Sequence, residues 1–162
     1  MDQYLRRLSL FNPLHLCAVG FGSGLAPKAP GTFGTLAAVP LMGLLSWWLT
    51  PYQYAICLII GFIFGVWCCQ VASKAMKVHD HGGIVWDEFI GFGVALLMIP
   101  VSWKSLLSGF ILFRLFDILK PWPISWLDKR VSGGFGIMVD DLLAGVFALC
   151  CQWLLFFYSG WV

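Results

Sequence analysis

The chain has 162 residues, of which 60% are hydrophobic and 11% charged, with a formal net charge of +2 and a mean hydropathy of +0.85. These values exclude an ordinary soluble globular domain and put the chain among integral membrane proteins. With so small a charge and neither a basic stripe nor a recognition motif, no nucleic-acid partner is expected. At ~20 apolar residues per crossing the length supplies about five spans, so one membrane domain over residues 1–162 is expected.

In chain order, residues 1–33 are read as part of the mature protein. Arg6 and Arg7 precede apolar residues as in a signal peptide, but Asn12, Pro13 and His15 interrupt the apolar core that cleavage would need. Residues 13–25 are apolar, short and glycine-rich, which suits a re-entrant or interfacial element. The stretch GFGSGLAPKAPGTFG, residues 20–34, sets five glycines and two prolines around the single Lys28, a composition unsuited to regular helix. Spanning helices are predicted near 34–50, 54–72, 84–100, 104–119 and 139–159, separated by Thr50-Pro51, Gly82-Gly83, Pro100, Pro121 with Pro123, and Gly133-Gly134. The predicted fold is all-α: a polytopic membrane helix bundle of about five spans plus the glycine-rich N-terminal segment. Gly61 and Gly65 form a GxxxG read as packing within the bundle. The six cysteines lie in apolar stretches and read as small buried hydrophobes.

Basic residues mark the cytoplasmic side. With the N-terminus inside, five spans leave Arg6, Arg7, Lys28, Lys74, Lys77, Lys120, Lys129 and Arg130 inside and only Lys104 outside. Trp47, Trp48, Trp103 and Trp161 then fall near the outer boundary, and Trp86, Trp122 and Trp126 near the inner one. The acids were not used to orient the chain, yet all eight (Asp2, Asp80, Asp87, Glu88, Asp117, Asp128, Asp140, Asp141) fall on the inner side.

Asp87 and Glu88 are placed about one turn into the third span, Asp117 near the inner end of the fourth, and Asp140 and Asp141 at the inner start of the fifth. If these helices are neighbours, five carboxylates converge in one layer. Carboxylates near hydrocarbon need cations, hydrogen bonds or protons, and a hard oxygen set suits Mg²⁺. Asp128 reads as a solvated acid. In FRLFDILKPWP, Arg114, Asp117 and Lys120 recur every three residues, so neighbours in the set share a face. Arg114 either pairs with a carboxylate, most simply Asp117, or holds an anion. In KVHDHGG, His79 and His81 flank Asp80, either as metal ligands or as a hydrogen-bonded turn, with Asp80 able to cap the third helix. Under this topology the glycine run lies on the same face. Its backbone N–H groups, Lys28, and the helix beginning near Thr35, capped by Thr32 or Thr35, form a phosphate cradle or else a turn that only packs. No P-loop or serine or cysteine nucleophile motif is present.

Four stretches in order, GFGSGLAPKAPGTFGT, HDHGGIVWDEFIG, FRLFDILKPWPI and GGFGIMVDDLLAG, closely resemble the phosphatidylglycerophosphatase A family from about Asn12 to Gly145. The resemblance implies an Mg²⁺-dependent enzyme of the bacterial inner membrane that hydrolyses phosphatidylglycerophosphate to phosphatidylglycerol and phosphate. On that reading Asp87, Glu88, Asp140 and Asp141 are assigned as metal ligands. Gly22, Ser23, Lys28, Gly31 and Thr32 are assigned to substrate, and Lys28, Asp80, Arg114, Asp117 and Lys120 to catalysis. A carboxylate takes the proton of the attacking water, with an aspartyl-phosphate intermediate as the competing route. Two alternatives stand beside this one, an ion-coupled transporter and a phospholipid headgroup transferase.

Overall fold

A computed structural model describes residues 2–78 and 80–159; His79 and Trp161 lie outside the described residues. Among those described, regular structure is helical throughout, as expected. A 3-10 turn at Leu5–Arg7 leads to α1 (Pro13–Ala18) and a 3-10 segment at Gly20–Leu25. Then follow α2 (Pro30–Trp48), α3 (Pro51–Met76), α4 (Trp86–Ala95), α5 (Trp103–Leu119), α6 (Ile124–Arg130) and α7 (Gly133–Ser159).

Local chemistry sets these boundaries. Asn12 accepts from the Leu14 N–H to start α1. Thr50 with Gln53 and Ser102 with Ser105 form capping boxes for α3 and α5, each meeting N–H groups that a helix start leaves unpaired. Lys77 and Lys120 end α3 and α5 in left-handed backbone, with φ of 59° and 41°.

Each expected span contains a helix, with corrections. α2 begins at Pro30, so the last part of the glycine run is helical. Proline at the first helical position loses no hydrogen bond, which makes that start available. α7 begins at Gly133, where the Gly134 N–H donates to Gln70 Oε1 at 2.9 Å. The third expected span is much shorter than 84–100: α4 has 10 residues, about 15 Å. Two helical segments, Pro51–Met76 and Gly133–Tyr158, are long and apolar enough to cross a membrane by themselves. All six thiols are free, but only Cys68 and Cys69 are buried, while Cys57 and Cys150 are exposed on outward helix faces.

The short α4 is the packing centre. Glu88 through Ala95 are all buried, and α4 packs against α2, α3, α5 and α7. Glycines bring α4 and α7 together: a side chain on Gly145 would strike the Gly91 carbonyl, and a Cβ on Gly91 would stand 2.6 Å from the Asp141 carbonyl oxygen. The GxxxG of α3 faces inward, with Gly61 against Ile90 and Gly65 against Met138 and Trp86. Trp86 packs against α3. It stacks on Phe89 at 5.7 Å and donates its indole N–H to the Gly61 carbonyl, near the middle of α3, at 3.0 Å.

A helix that ends inside a protein must find donors for its last carbonyls. The Tyr54 hydroxyl of α3 donates to the Gly93 carbonyl at 2.9 Å, and Gln152 Nε2 of α7 donates to the Ala95 carbonyl at 2.8 Å. Gln152 is fully buried, and its Oε1 accepts from the Ser108 hydroxyl of α5 at 2.8 Å. Replacing Gln152 by Leu strands the Ala95 carbonyl, leaves the Ser108 hydroxyl only the Ser105 carbonyl at 3.3 Å, and is expected to cost about 1–3 kcal/mol. Thermal unfolding of detergent-purified protein measures this, with Cys150→Ala, on an exposed position, shifting stability by less than ~0.5 kcal/mol.

Candidate active site

Four helices deliver charge to one layer. Asp87 and Glu88 open α4, Arg114 and Asp117 lie near the end of α5 with Lys120 as its cap, Asp128 is on α6, and Asp140 and Asp141 face inward from α7. Arg114 Nη1 pairs with Glu88 Oε2 and, at 2.6 Å, with Asp117 Oδ2. Lys120 Nζ pairs with Asp128 at 2.6 Å and Asp140 at 2.7 Å. Burial opposes the charge on Lys120, but its hydrogen bonds to Asp128 and Asp140 outweigh that and hold its pKa well above the ordinary lysine value. Asp141 lies within electrostatic reach of Asp117, Asp87, Glu88 and Asp140. Asp87 feels Glu88, Asp140 and Asp80.

Ionised throughout, this layer carries six negative charges (Asp87, Glu88, Asp117, Asp128, Asp140, Asp141) against two positive ones (Arg114, Lys120), a sum of −4. Glu88, Asp140 and Asp141 are 7%, 5% and 4% exposed, so water cannot screen the excess. Further neutralisation has to come from protons or bound cations. Asp140 Oδ1 is buried without a partner, as is Arg114 Nε. An unpartnered carboxylate oxygen amid hard oxygen donors fits a cation such as Mg²⁺ in chemistry. Among the described residues, however, no three His, Cys, Asp or Glu side chains are already grouped around one metal position.

The glycine run meets this layer at one point. Gly31, in the first turn of α2, packs against the Glu88–Arg114 pair: a side chain there would strike Glu88 Oε1 and stand 3.1 Å from Arg114 Nη1. Thr35, one turn further and fully buried, places its hydroxyl 2.6 Å from Glu88 Oε2 and 2.9 Å from the Gly31 carbonyl oxygen. The rest of the run does other things. Gly24 lies against the Gly83 backbone and Gly34 against Val85. The Ser23 hydroxyl donates to the Gly20 carbonyl at 2.8 Å, and Gly22, at φ 102°, has open space around it. Thr32 is half-buried in the first turn of α2, and Lys28 is exposed and, among the described residues, unpaired. Neither Thr32 nor Thr35 caps α2, whose N-cap is Ala29. Beside Lys28 a cavity of about 680 Å³ is lined by Asp2, Gly24 to Pro27, Pro30 and His81 to Gly83.

The layer expected from five carboxylates on three helices is therefore present, and Arg114 pairs with Asp117. Two expectations are corrected, and of the two readings left open for His81 the turn is the one present. Asp128 is not simply solvated, because it shares Lys120 with Asp140. Asp80 does not cap α4, whose N-cap is Val85 without side-chain help, and is exposed in the preceding loop. His81 is engaged in a turn, accepting from the Gly83 N–H on Nδ1 and holding Asp2 at 2.9 Å through Nε2, which keeps the Asp2 carboxyl below its usual pKa. Sequence reasoning had considered Thr35 only as a cap. A threonine five residues past a proline start gives no hint that it faces a carboxylate 53 positions away.

Fold and site together define an all-helical protein organised around a buried cluster of carboxylates and cations. The family model described as phosphatidylglycerophosphatase A matches residues 16–156. Similar proteins include the phosphatidylglycerophosphatase A of Escherichia coli K12, 51% identical over 86% of this chain and 81% of its own. That of Haemophilus influenzae is 49% identical over 90% of each. A putative phosphatidylinositol-3-phosphatase of Bacteroides thetaiotaomicron is 34% identical over 82% of this chain and 87% of its own. No solved structure matches. The chain belongs to the phosphatidylglycerophosphatase A family.

Removing Arg114 would leave Glu88 and Asp117 buried without their cation, which typically costs about 3–5 kcal/mol. Arg114→Met is thus expected to lower the unfolding temperature sharply. Glu88→Gln in the same chain should return part of the loss, and the double-mutant cycle read by thermal unfolding measures how much.

Proposed function

We propose that the chain is a lipid phosphatase that hydrolyses the terminal phosphate monoester of phosphatidylglycerophosphate, yielding phosphatidylglycerol and inorganic phosphate in glycerophospholipid biosynthesis. The carrying observation is the identity of about half to two proteins named phosphatidylglycerophosphatase A, over most of either chain. A third relative, named a putative phosphatase of a different phosphorylated lipid, shares the chemistry but not the headgroup.

The reading places the chain in the bacterial inner membrane as a polytopic bundle of about five membrane-inserted helices, four long and one half-length, with its site toward the cytoplasm. Supporting this, α3 exposes Ile56, Ile59, Ile60, Ile63 and Trp67, α5 exposes Leu107, Ile111, Leu115 and Ile118, and α2 and α7 carry similar outward faces. Apolar surface of that extent is unstable in water. The lipid's tails would lie along these faces, and its headgroup would turn inward to the charged layer.

In the proposed reaction, Lys28 and the free N–H groups at the start of α2 bind the phosphoryl group. Gly31 leaves room for its approach to Glu88 and Arg114. Mg²⁺ held by Asp87, Glu88, Asp140 and Asp141 would offset phosphate charge and lower the pKa of a water. A carboxylate of the cluster accepts a proton from the attacking water as its oxygen bonds to phosphorus, the bond from phosphorus to the lipid oxygen breaks in line, and that oxygen takes up a proton to leave as the alcohol of phosphatidylglycerol. Arg114, steadied by Asp117, balances negative charge, while Lys120 holds Asp140 and Asp128 in place. Asp80, exposed beside the cavity, is kept as a candidate for the solvent side of the site.

Phosphate release from the lipid by detergent-purified protein tests this. Activity should vanish with a chelator and return with Mg²⁺. Asp87→Asn, Glu88→Gln and Asp141→Asn are each expected to lower kcat by ~10²-fold or more, and Lys28→Ala to raise KM. Undiminished turnover in all three carboxylate variants would remove the site model, and lipid transfer without free phosphate would favour the headgroup transferase.

A further inference from the structure

We infer that Thr35 is a positioning residue that fixes which oxygen of Glu88 is left to work, an assignment that rests on the lipid phosphatase reading. A buried helical threonine ordinarily satisfies its hydroxyl on the carbonyl four residues back. Here that carbonyl, Gly31, lies 2.9 Å away, but Glu88 Oε2 lies nearer, at 2.6 Å. A hydroxyl has one proton to give. A carboxylate is the stronger acceptor and takes it at the shorter distance.

Arg114 binds the same oxygen. Glu88 Oε2 is therefore held from two sides, by α2 through Thr35 and by α5 through Arg114. Its other oxygen, Oε1, is turned toward the first turn of α2, against Gly31, where a side chain would strike it. With Oε2 engaged, Oε1 is the oxygen that faces the opening left by the missing side chain. A cation or a phosphoryl-bound water reaching Glu88 meets it there.

Arg114 cannot set this orientation alone. It also grips Asp117 at 2.6 Å, so without the Thr35 hydroxyl the Glu88 carboxylate is free to rotate about its one remaining bond. Thr35 touches no substrate in this arrangement. It acts through Glu88, in the way that outer partners orient metal-binding carboxylates.

Three variants of the full chain in detergent test the assignment: Thr35→Val, which keeps shape and removes the hydroxyl, Thr35→Ser, which restores the hydroxyl, and Thr35→Val with Glu88→Gln. Two readouts are used, steady-state phosphate release and Mn²⁺ binding followed by electron paramagnetic resonance without substrate. Thr35→Val is expected to weaken Mn²⁺ binding by ~10–100-fold and to lower kcat by up to ~10²-fold, with KM for the lipid changed less than about twofold. Thr35→Ser should recover most of both, and Thr35→Val should cost nothing further when Glu88 is already Gln. Parental Mn²⁺ affinity and kcat in Thr35→Val would overturn the inference. So would a fall in unfolding temperature and activity that Thr35→Ser fails to rescue, or losses that simply multiply in the Glu88→Gln background. If the wild-type chain releases no phosphate from the lipid, the function reading fails on its own and Mn²⁺ binding still decides the role of Thr35.

Discussion

Charge balance in a dry place governs this protein. Two cations stand among six carboxylates in a layer where three of the acids are almost completely buried, and burial of unneutralised charge is among the costliest things a fold can do. Arg114 and Lys120 meet that cost by each bridging two acids from different helices. The remaining negative charge is left for protons or bound cations to offset.

The rest of the fold can be understood as what holds that layer at depth. α4 presents Asp87 and Glu88 from its first turn and is too short to reach a membrane boundary at both ends. Glycines let α7 approach it closely enough to set Asp141 opposite, and side chains from α3 and α7 close its open end. On the other side, α2 starts early at Pro30 and brings Gly31 and Thr35 onto Glu88. Stability and site geometry thus share the same contacts, and strain at one is felt at the other.

Much of this was legible in the sequence. The three-residue spacing of Arg114 and Asp117 implied a shared face, and the confinement of acids to one side implied a common layer. What could not be read depended on contacts between distant segments. Hydropathy is equally high for a buried core helix and a membrane span, so the short α4 read as a full-length crossing. Asp128 was indistinguishable from a surface acid until α6 folded back onto Lys120. Gln152 sits in an apolar stretch with no motif, and Thr35 closes the glycine-rich stretch without any sign of its partner, so only the neighbour each one meets reveals its task. The glycine run divides its work: Gly31 opens space beside the charges, while Gly24 lets the Gly83 backbone pass and Gly34 makes room for the Val85 side chain.

The two bonds that finish α4 also impose an order on its biogenesis. Tyr54 is made early, but Gln152 belongs to the last helix of the described chain. Until α7 arrives, the Ala95 carbonyl lacks its donor, Gly91 lacks its neighbour, and Lys120 lacks Asp140. Before that, Arg114 can already hold Glu88 with Asp117, and Lys120 can hold Asp128, but Asp140 and Asp141 are still missing from the layer. The charged layer is completed last, so a product truncated before α7 would lack two of its six acids.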